Sequence, residues 1–182
     1  IDPLTVMITH FSEVTNREMP QLISRIVLVE TLEQVRERQP GLLEELVPNV
    51  LAVSDIQRVI RLLVSERVSV KAIDRILEVL LNLVKTEKDP NVLAEAGRQS
   101  MSQSICNDLR ESHPDLAVMS LHPTLETKLK AGMTLINGQE TVLLEPNLAA
   151  KVTKAFVEAS AEMQAQGRNP VLLCGSEIRR KM

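Results

Sequence analysis

A mainly helical chain with a smaller α/β part is the fold class this sequence predicts, on three observations. Apolar residues recur at helical spacing from Asp2 to about Arg110. Beyond Glu111-Ser112-His113-Pro114 the pattern changes, and three short apolar runs alternate with helices. The third observation is compositional: 44% of the 182 residues are apolar, yet Phe11 and Phe156 are the only aromatic side chains. A core of Leu, Val, Ile, Ala and Met follows, and helices suit such a composition.

The first element opens at Asp2-Pro3, a cap followed by proline at the first helical position. Val6, Met7, His10, Phe11 and Val14 then share a face, and the helix is expected to run to about Met19, where Pro20 interrupts it. A second helix covers about 27–38 with Leu28, Thr31, Leu32 and Val35 inward, and Gln39-Pro40-Gly41 ends it. Residues 42–47 form a short helical turn stopped by Pro48.

Two amphipathic helices occupy the centre of the chain, joined by the polar break 65–69. Ser54 is the expected cap of the first, whose buried face is Ile56, Val59, Ile60, Leu63 and Val64. Ser69 is the expected cap of the second, with Ile73, Ile76, Leu77, Leu80, Leu81 and Val84 as its stripe. Each face needs a partner, so the two should pack on each other and on the flanking helices. Asp89-Pro90 repeats the cap-and-proline signal and opens a helix through Leu93, Met101, Ile105 and Leu109 to about Arg110. Gly97 inside that helix costs about 1 kcal/mol against Ala, which points to close packing or a weak point.

In the last third, residues 116–121, 141–144 and 170–174 read as strands. A helix over 124–131 and a loop over 132–139 separate the first two. A longer helix separates the last two, beginning at Pro146, burying Leu148, Val152, Phe156, Ala159 and Met163, and ending at Gly167. The order is βαβαβ, with right-handed crossovers wherever strands run parallel. The expected division is residues 1–25 as the end of a preceding helical subdomain, 26–112 as a helical subdomain and 113–182 as an α/β subdomain. The helical subdomain would be a bundle or a winged-helix-like arrangement. The opening Ile1-Asp2 lacks an initiator Met and Ile178-Arg179-Arg180-Lys181-Met182 reads as the start of a helix, so truncation is expected at both ends.

Charge and motifs argue against several function classes. Twenty-four acidic and 21 basic side chains give a net charge of −3, so nothing draws the chain as a whole toward phosphate backbones. No apolar run approaches the roughly 18–20 residues of a membrane span, and no signal-peptide pattern opens the chain. Cys106 and Cys174 match no metal or redox spacing and are expected to be buried free thiols of a reducing compartment.

Cys174-Gly175-Ser176 follows a strand, where an α/β enzyme would place a nucleophile. It lacks the glycine two residues earlier that a nucleophile elbow needs, and no motif positions a histidine as its base. His10, His113 and His122 share no ligand spacing. His10 is expected to be a hydrogen-bonded structural histidine near an apolar face, and His122 a loop residue. Glu44 and Glu45 are adjacent on a helical turn and diverge, and no glycine-rich phosphate loop occurs. The reading therefore holds no catalytic, cofactor-binding or metal-binding residues. A helix-turn-helix remains as an alternative, but its recognition helix would present the mixture Lys71, Asp74, Arg75, Glu78 and Asn82, and its turn lacks the usual glycine.

One ordered series of residues carries more. It runs Glu44-Glu45-Leu46-Val47-Pro48, Gln57, Val68-Ser69-Val70, Ile76-Leu77-Glu78, Asp89-Pro90, then Glu95 with Arg98. Later come Leu144-Glu145-Pro146, Leu148-Ala149, Gln166-Gly167 and Pro170-Val171-Leu172-Leu173-Cys174 with Ile178-Arg179. On these residues the chain resembles the cytoplasmic region of the export-gate family of bacterial type III secretion. The wording at Glu44–Pro48 and Gln166–Cys174 is closer to the flagellar than to the injectisome branch. Asp2-Pro3 and Thr9-His10 resemble the family's opening, with Phe11 in place of its leucine. Ala72, Gly97 and Ile23-Ser24 depart from the pattern.

The resemblance implies the latter half of a cytoplasmic region that lies beneath the inner membrane and follows a transmembrane part. That region forms a nonameric ring and receives export chaperones with their cargo, without catalysis, cofactor or nucleic acid. It implies a partner-binding surface from the helix holding Thr9, His10, Phe11, Glu13 and Val14 and the turn around Leu43, with Phe11 as its exposed anchor.

Overall fold

The computed structural model describes residues 2–136 and 139–181. It divides into two compact units, Ile1–Ile105 and Cys106–Met182.

Unit 1 is helical throughout. It contains α1 (Pro3–Leu22), α2 (Arg25–Arg38), α3 (Pro40–Leu46), α4 (Val53–Ser65), α5 (Ile73–Leu83), α6 (Pro90–Ser100) and the start of α7 (Ser102–Arg110). Its core is aliphatic, and the five residues expected to face inward on α4 are all buried, as are Ile73, Ile76, Leu77, Leu80 and Val84 around α5. Burying each such side chain stabilises by roughly 1.5–3 kcal/mol. Leu81 is only half-buried. The main partner of both central helices is α6, which packs across the two of them. Gly97 of α6 sits where Leu63 of α4 and Ile76 of α5 converge, so of the two expectations for that glycine the close packing is the one realised.

Several boundaries differ from the sequence expectation. Pro20 lies inside α1, which continues to Leu22. Pro20 has no N–H for the Asn16 carbonyl and its ring crowds that turn, and only two more helical residues follow it. The carbonyl of Ile23 just beyond is taken up by α4 instead, with Gln57 Nε2 at 2.8 Å and Arg61 Nε at 3.1 Å. Ser24 caps α2 by accepting from the Val27 amide. α4 begins after Ala52 and α5 after Ala72, so neither Ser54 nor Ser69 is the cap. The helix expected over 90–110 is broken at Met101 into α6 and α7, because the buried Met101 turns the chain.

Unit 2 contains the rest of α7, then β1 (Met119–Ser120), α8 (Pro123–Ala131), β2 (Met133–Ile136), β3 (Gln139–Val142), α9 (Pro146–Ala165), β4 (Leu172–Leu173) and α10 (Ser176–Arg179). The mainly helical class with a small sheet part holds, but the strand order is corrected. β1 pairs parallel with β4, and β2 and β3 form a separate antiparallel hairpin. The segment expected as a loop over 132–139 supplies β2; Asn137 and Gly138 lie outside the described residues. Among the described residues, unit 2 buries two apolar side chains, Leu129 and Ile178, against twenty in the core of unit 1. α9 accordingly buries none: Leu148, Val152, Ala159 and Met163 are half-buried and Phe156 is exposed.

Candidate partner-docking surface

α1 is held at its start by Asp2, whose carboxylate accepts from the Thr5 amide and hydroxyl at 3.2 Å, with Pro3 behind it. α1 packs on α4, and its half-buried residues, Val14, Thr15, Glu18 and Pro20, all lie in its second half. Its first half carries Leu4, Met7, Ile8 and Phe11, spaced i, i+3, i+4, i+7, and these are 61%, 69%, 58% and 72% exposed. A row of four large apolar side chains left in water on a capped helix is the kind of surface that marks a protein contact. Phe11 is the aromatic member of the row and the most exposed of the four.

The residues expected at this surface divide. Thr9 spends its hydroxyl on the Thr5 carbonyl at 2.8 Å, within its own helix. His10 is exposed, not the structural histidine expected, and among the described residues its neighbours Thr9 and Phe11 are exposed as well. Glu13 is exposed and Val14 half-buried. Leu43 is 1% exposed and belongs to the core cluster of unit 1, so its side chain stands apart from the exposed row. Leu4, Met7 and Ile8 were not among the residues expected at this surface. Their i, i+3, i+4 spacing ahead of Phe11 is the signal that reveals them.

Unit 2 has a groove of about 790 Å³ between α9 and the β1–β4 pair, lined by Leu125, Val152, Phe156 and Leu172 among others. Cys174 and His122 both line it. Neither cysteine is the buried thiol expected: Cys174 is half-buried and Cys106 exposed. His122 is the N-cap of α8, not a plain loop residue, with its Nδ1 accepting from the Thr124 amide at 3.3 Å. The Gly175 amide donates to Glu126 Oε1 at 3.0 Å, which ties the turn after β4 to α8. Close by, Lys130 pairs with Glu177 at 2.8 Å. The bond to Lys130, followed by its charge, holds the Glu177 carboxyl below its ordinary value, and the reciprocal bond raises Lys130.

At the start of unit 2, Arg168 grips Asp115 with both terminal nitrogens at 3.2 Å. That bond and the guanidinium charge hold the Asp115 carboxyl below the usual carboxylate range. His113 Nε2 lies 3.2 Å from the Gly167 carbonyl, and Asn169 donates to the Leu109 carbonyl and to Glu111. These contacts clasp the turn after α7 to the turn after α9. Among the described residues no group of three or more His, Cys, Asp or Glu is placed to hold a metal ion, and no helix is long and apolar enough to cross a membrane.

The model of the FHIPEP family matches residues 1–182. The flagellar biosynthesis protein FlhA of Bacillus subtilis is 26% identical over 179 residues, covering 98% of this chain and 26% of that protein. The FlhA of Borreliella burgdorferi is 27% identical over 179 residues, again 98% of this chain and 26% of the relative. The chain thus spans about a quarter of the length of the curated relatives it matches. Among solved structures, Shigella flexneri MxiA superposes with a TM-score of 0.78 at 23% identity, over 95% of this chain and 57% of that one. Nonameric EPEC SctV-C gives 0.79 at 20% identity, over 93% and 51%. Chlamydia pneumoniae CdsV, solved in complex with CdsO, gives 0.75 at 22% identity, over 99% and 53%. At these identities the structural likeness speaks to the fold.

Proposed function

We propose a function on the premise supplied by the family match: this chain belongs to the FHIPEP family. It is a docking and ring-forming piece of the type III protein export gate, lying on the cytoplasmic side of the bacterial inner membrane. It receives export chaperones carrying substrates, and it acts as a binding scaffold without catalysis of its own. Residues 1–25 are the end of a preceding subdomain in this reading.

The observation that carries the docking role is the exposed row Leu4, Met7, Ile8 and Phe11 on α1. Ring formation is supported by likeness to the nonameric SctV-C, and contact with other export components by likeness to CdsV, solved with CdsO. The flagellar branch is favoured over an injectisome, because the curated relatives are named as flagellar biosynthesis proteins.

Titration calorimetry of a flagellar export chaperone–cargo complex against this chain and its Phe11→Ala variant tests the reading. Loss of one apolar anchor should weaken binding by roughly tenfold or more while the thermal midpoint stays put. Equal affinities would remove Phe11 from the contact. Binding of duplex DNA that falls with salt would favour a helix-turn-helix regulator instead.

A further inference from the structure

The turn between α4 and α5 closes α4 with a residue that the local geometry does not favour. Arg67 takes φ 58°, the left-handed region, in the position just past the helix end where glycine is usual. The motif itself is well formed: the Val68 amide donates to the Leu63 carbonyl at 3.0 Å and the Arg67 amide to the Val64 carbonyl at 2.9 Å. A glycine would serve it at lower conformational cost, so an arginine there needs another account.

Beside this turn lies a hollow of about 280 Å³, lined by Asn16 and Met19 of α1, Val64 of α4, and Arg67, Val68, Ser69, Val70 and Lys71. Its floor is aliphatic, with Val64 and Val68 buried and Val70 half-buried. Its charged lining is wholly cationic: Arg67 and Lys71 are both exposed, and no carboxylate lines it. Neither cation enters an ion pair among the described residues. Asn16 and Ser69 add neutral donors to the wall.

An apolar floor with two cations on its lining selects a ligand that joins an aliphatic body to an anion. The volume lies just below the roughly 300–1,000 Å³ range of ligand sites, so the group that enters is one residue in size. An arginine fork and a lysine point charge suit a carboxylate. We propose that this hollow captures the carboxyl-terminal residue of a peptide chain, with its aliphatic side chain on Val64 and Val68 and its carboxylate between Arg67 and Lys71. Backbone-terminal capture of this kind is a recurrent mode of peptide recognition. The site is separate from the apolar row on the first half of α1 and does not depend on the export-gate reading.

The test is an amide-resolved NMR titration of the 182-residue chain with a short peptide ending Ala-Val-Leu, its carboxamide, and N-acetylleucine. Saturable shifts centred on Val64 and residues 68–71 are expected with the free acid. The carboxamide should bind about tenfold or more weakly, since it loses a charge-assisted contact. Arg67→Gly should lower the affinity for the free acid by a similar factor while keeping or raising the melting temperature, because glycine suits that backbone. Lys71→Gln should also weaken binding. Equal affinity for acid and carboxamide, shifts centred elsewhere, no shifts at all, or an Arg67→Gly variant that binds like the parent would each overturn the proposal. N-acetylleucine binding as tightly as the peptide would assign the hollow to small free acids and overturn it as a peptide-end site.

Discussion

Gly97 stands so close to Leu63 that a β-carbon at position 97 would lie 3.3 Å from Leu63 Cδ1, with Ile76 Cγ2 at 3.4 Å on the other side. The glycine is what lets α6 lie across α4 and α5 together. Gly97→Ala gains about 1 kcal/mol of helix propensity and loses a comparable amount by pressing on the two methyl groups. Urea unfolding should therefore place it within about 1 kcal/mol of the parent. Gly97→Leu has no such room and should destabilise by roughly 1–3 kcal/mol or more. A leucine variant as stable as the parent would mean that α6 does not sit this close.

Of the three left-handed helix ends, at Arg67, Glu111 and Gly167, the first and last should respond in opposite directions. α9 ends on Gly167 at φ 71°, with the Arg168 amide donating to the Met163 carbonyl at 3.0 Å, the same bond pattern as at Arg67. Gly167→Ala should cost about 1 kcal/mol, and Arg67→Gly should stabilise by up to about that amount. Paired denaturation curves read both signs, and a shared sign would reject the common motif.

How much of this was legible follows the density of the apolar repeat. α4 could be read to the residue, and α5 to all but Leu81, because each presents a crowded stripe whose burial one partner, α6, completes. Their caps could not. Ser54 and Ser69 are good capping residue types, but the Ala52 carbonyl already accepts the first turn of α4, and the turn of residues 66–72 delays α5 to Ile73. The hairpin was missed although Asn137-Gly138, the strongest short-range hairpin signal, stands between its strands in the sequence. On α1 and α9 the periodicity identified apolar residues but could not tell whether anything covers them. The apolar row on α1 was thus visible as composition, and its exposure emerged only from packing.

That difference in cover separates α9 from α5 experimentally. Leu80 of α5 is fully buried, and Leu80→Ala should cost roughly 2–5 kcal/mol through lost burial and the cavity left behind. Phe156 on the middle of α9 is 42% exposed. Phe156→Ser should cost clearly less, about 1 kcal/mol or under, as surface changes do. Hydrogen exchange should rank the helices the same way, with amides of α4, α5 and α6 protected longest and those of α9 opening first. Equal protection of α9 and α5 would show that α9 has a cover in solution.

Acid should loosen the clasp between the two turns of unit 2. The Asp115 carboxyl lies below 3.8, chiefly through its bond to Arg168 and then through the guanidinium charge. A carboxyl depressed on folding contributes stability that is fully present above its unfolded value. That contribution disappears as pH falls through the folded value. Asp115 is 64% exposed although Arg168 is half-buried, so the effect is modest and salt-sensitive. Glu177, lowered from 4.5 by Lys130, acts in the same direction over the same acid range. The melting temperature of the parent should therefore exceed that of Asp115→Asn by a fixed margin near neutral pH. The margin should narrow below pH 3.8 and vanish once Asp115 is protonated in both folded and unfolded chains. Arg168→Gln should flatten the same part of the profile by restoring Asp115 toward its ordinary value. A margin that persists unchanged into strong acid would mean that the clasp rests on the His113 and Asn169 contacts rather than on this ion pair.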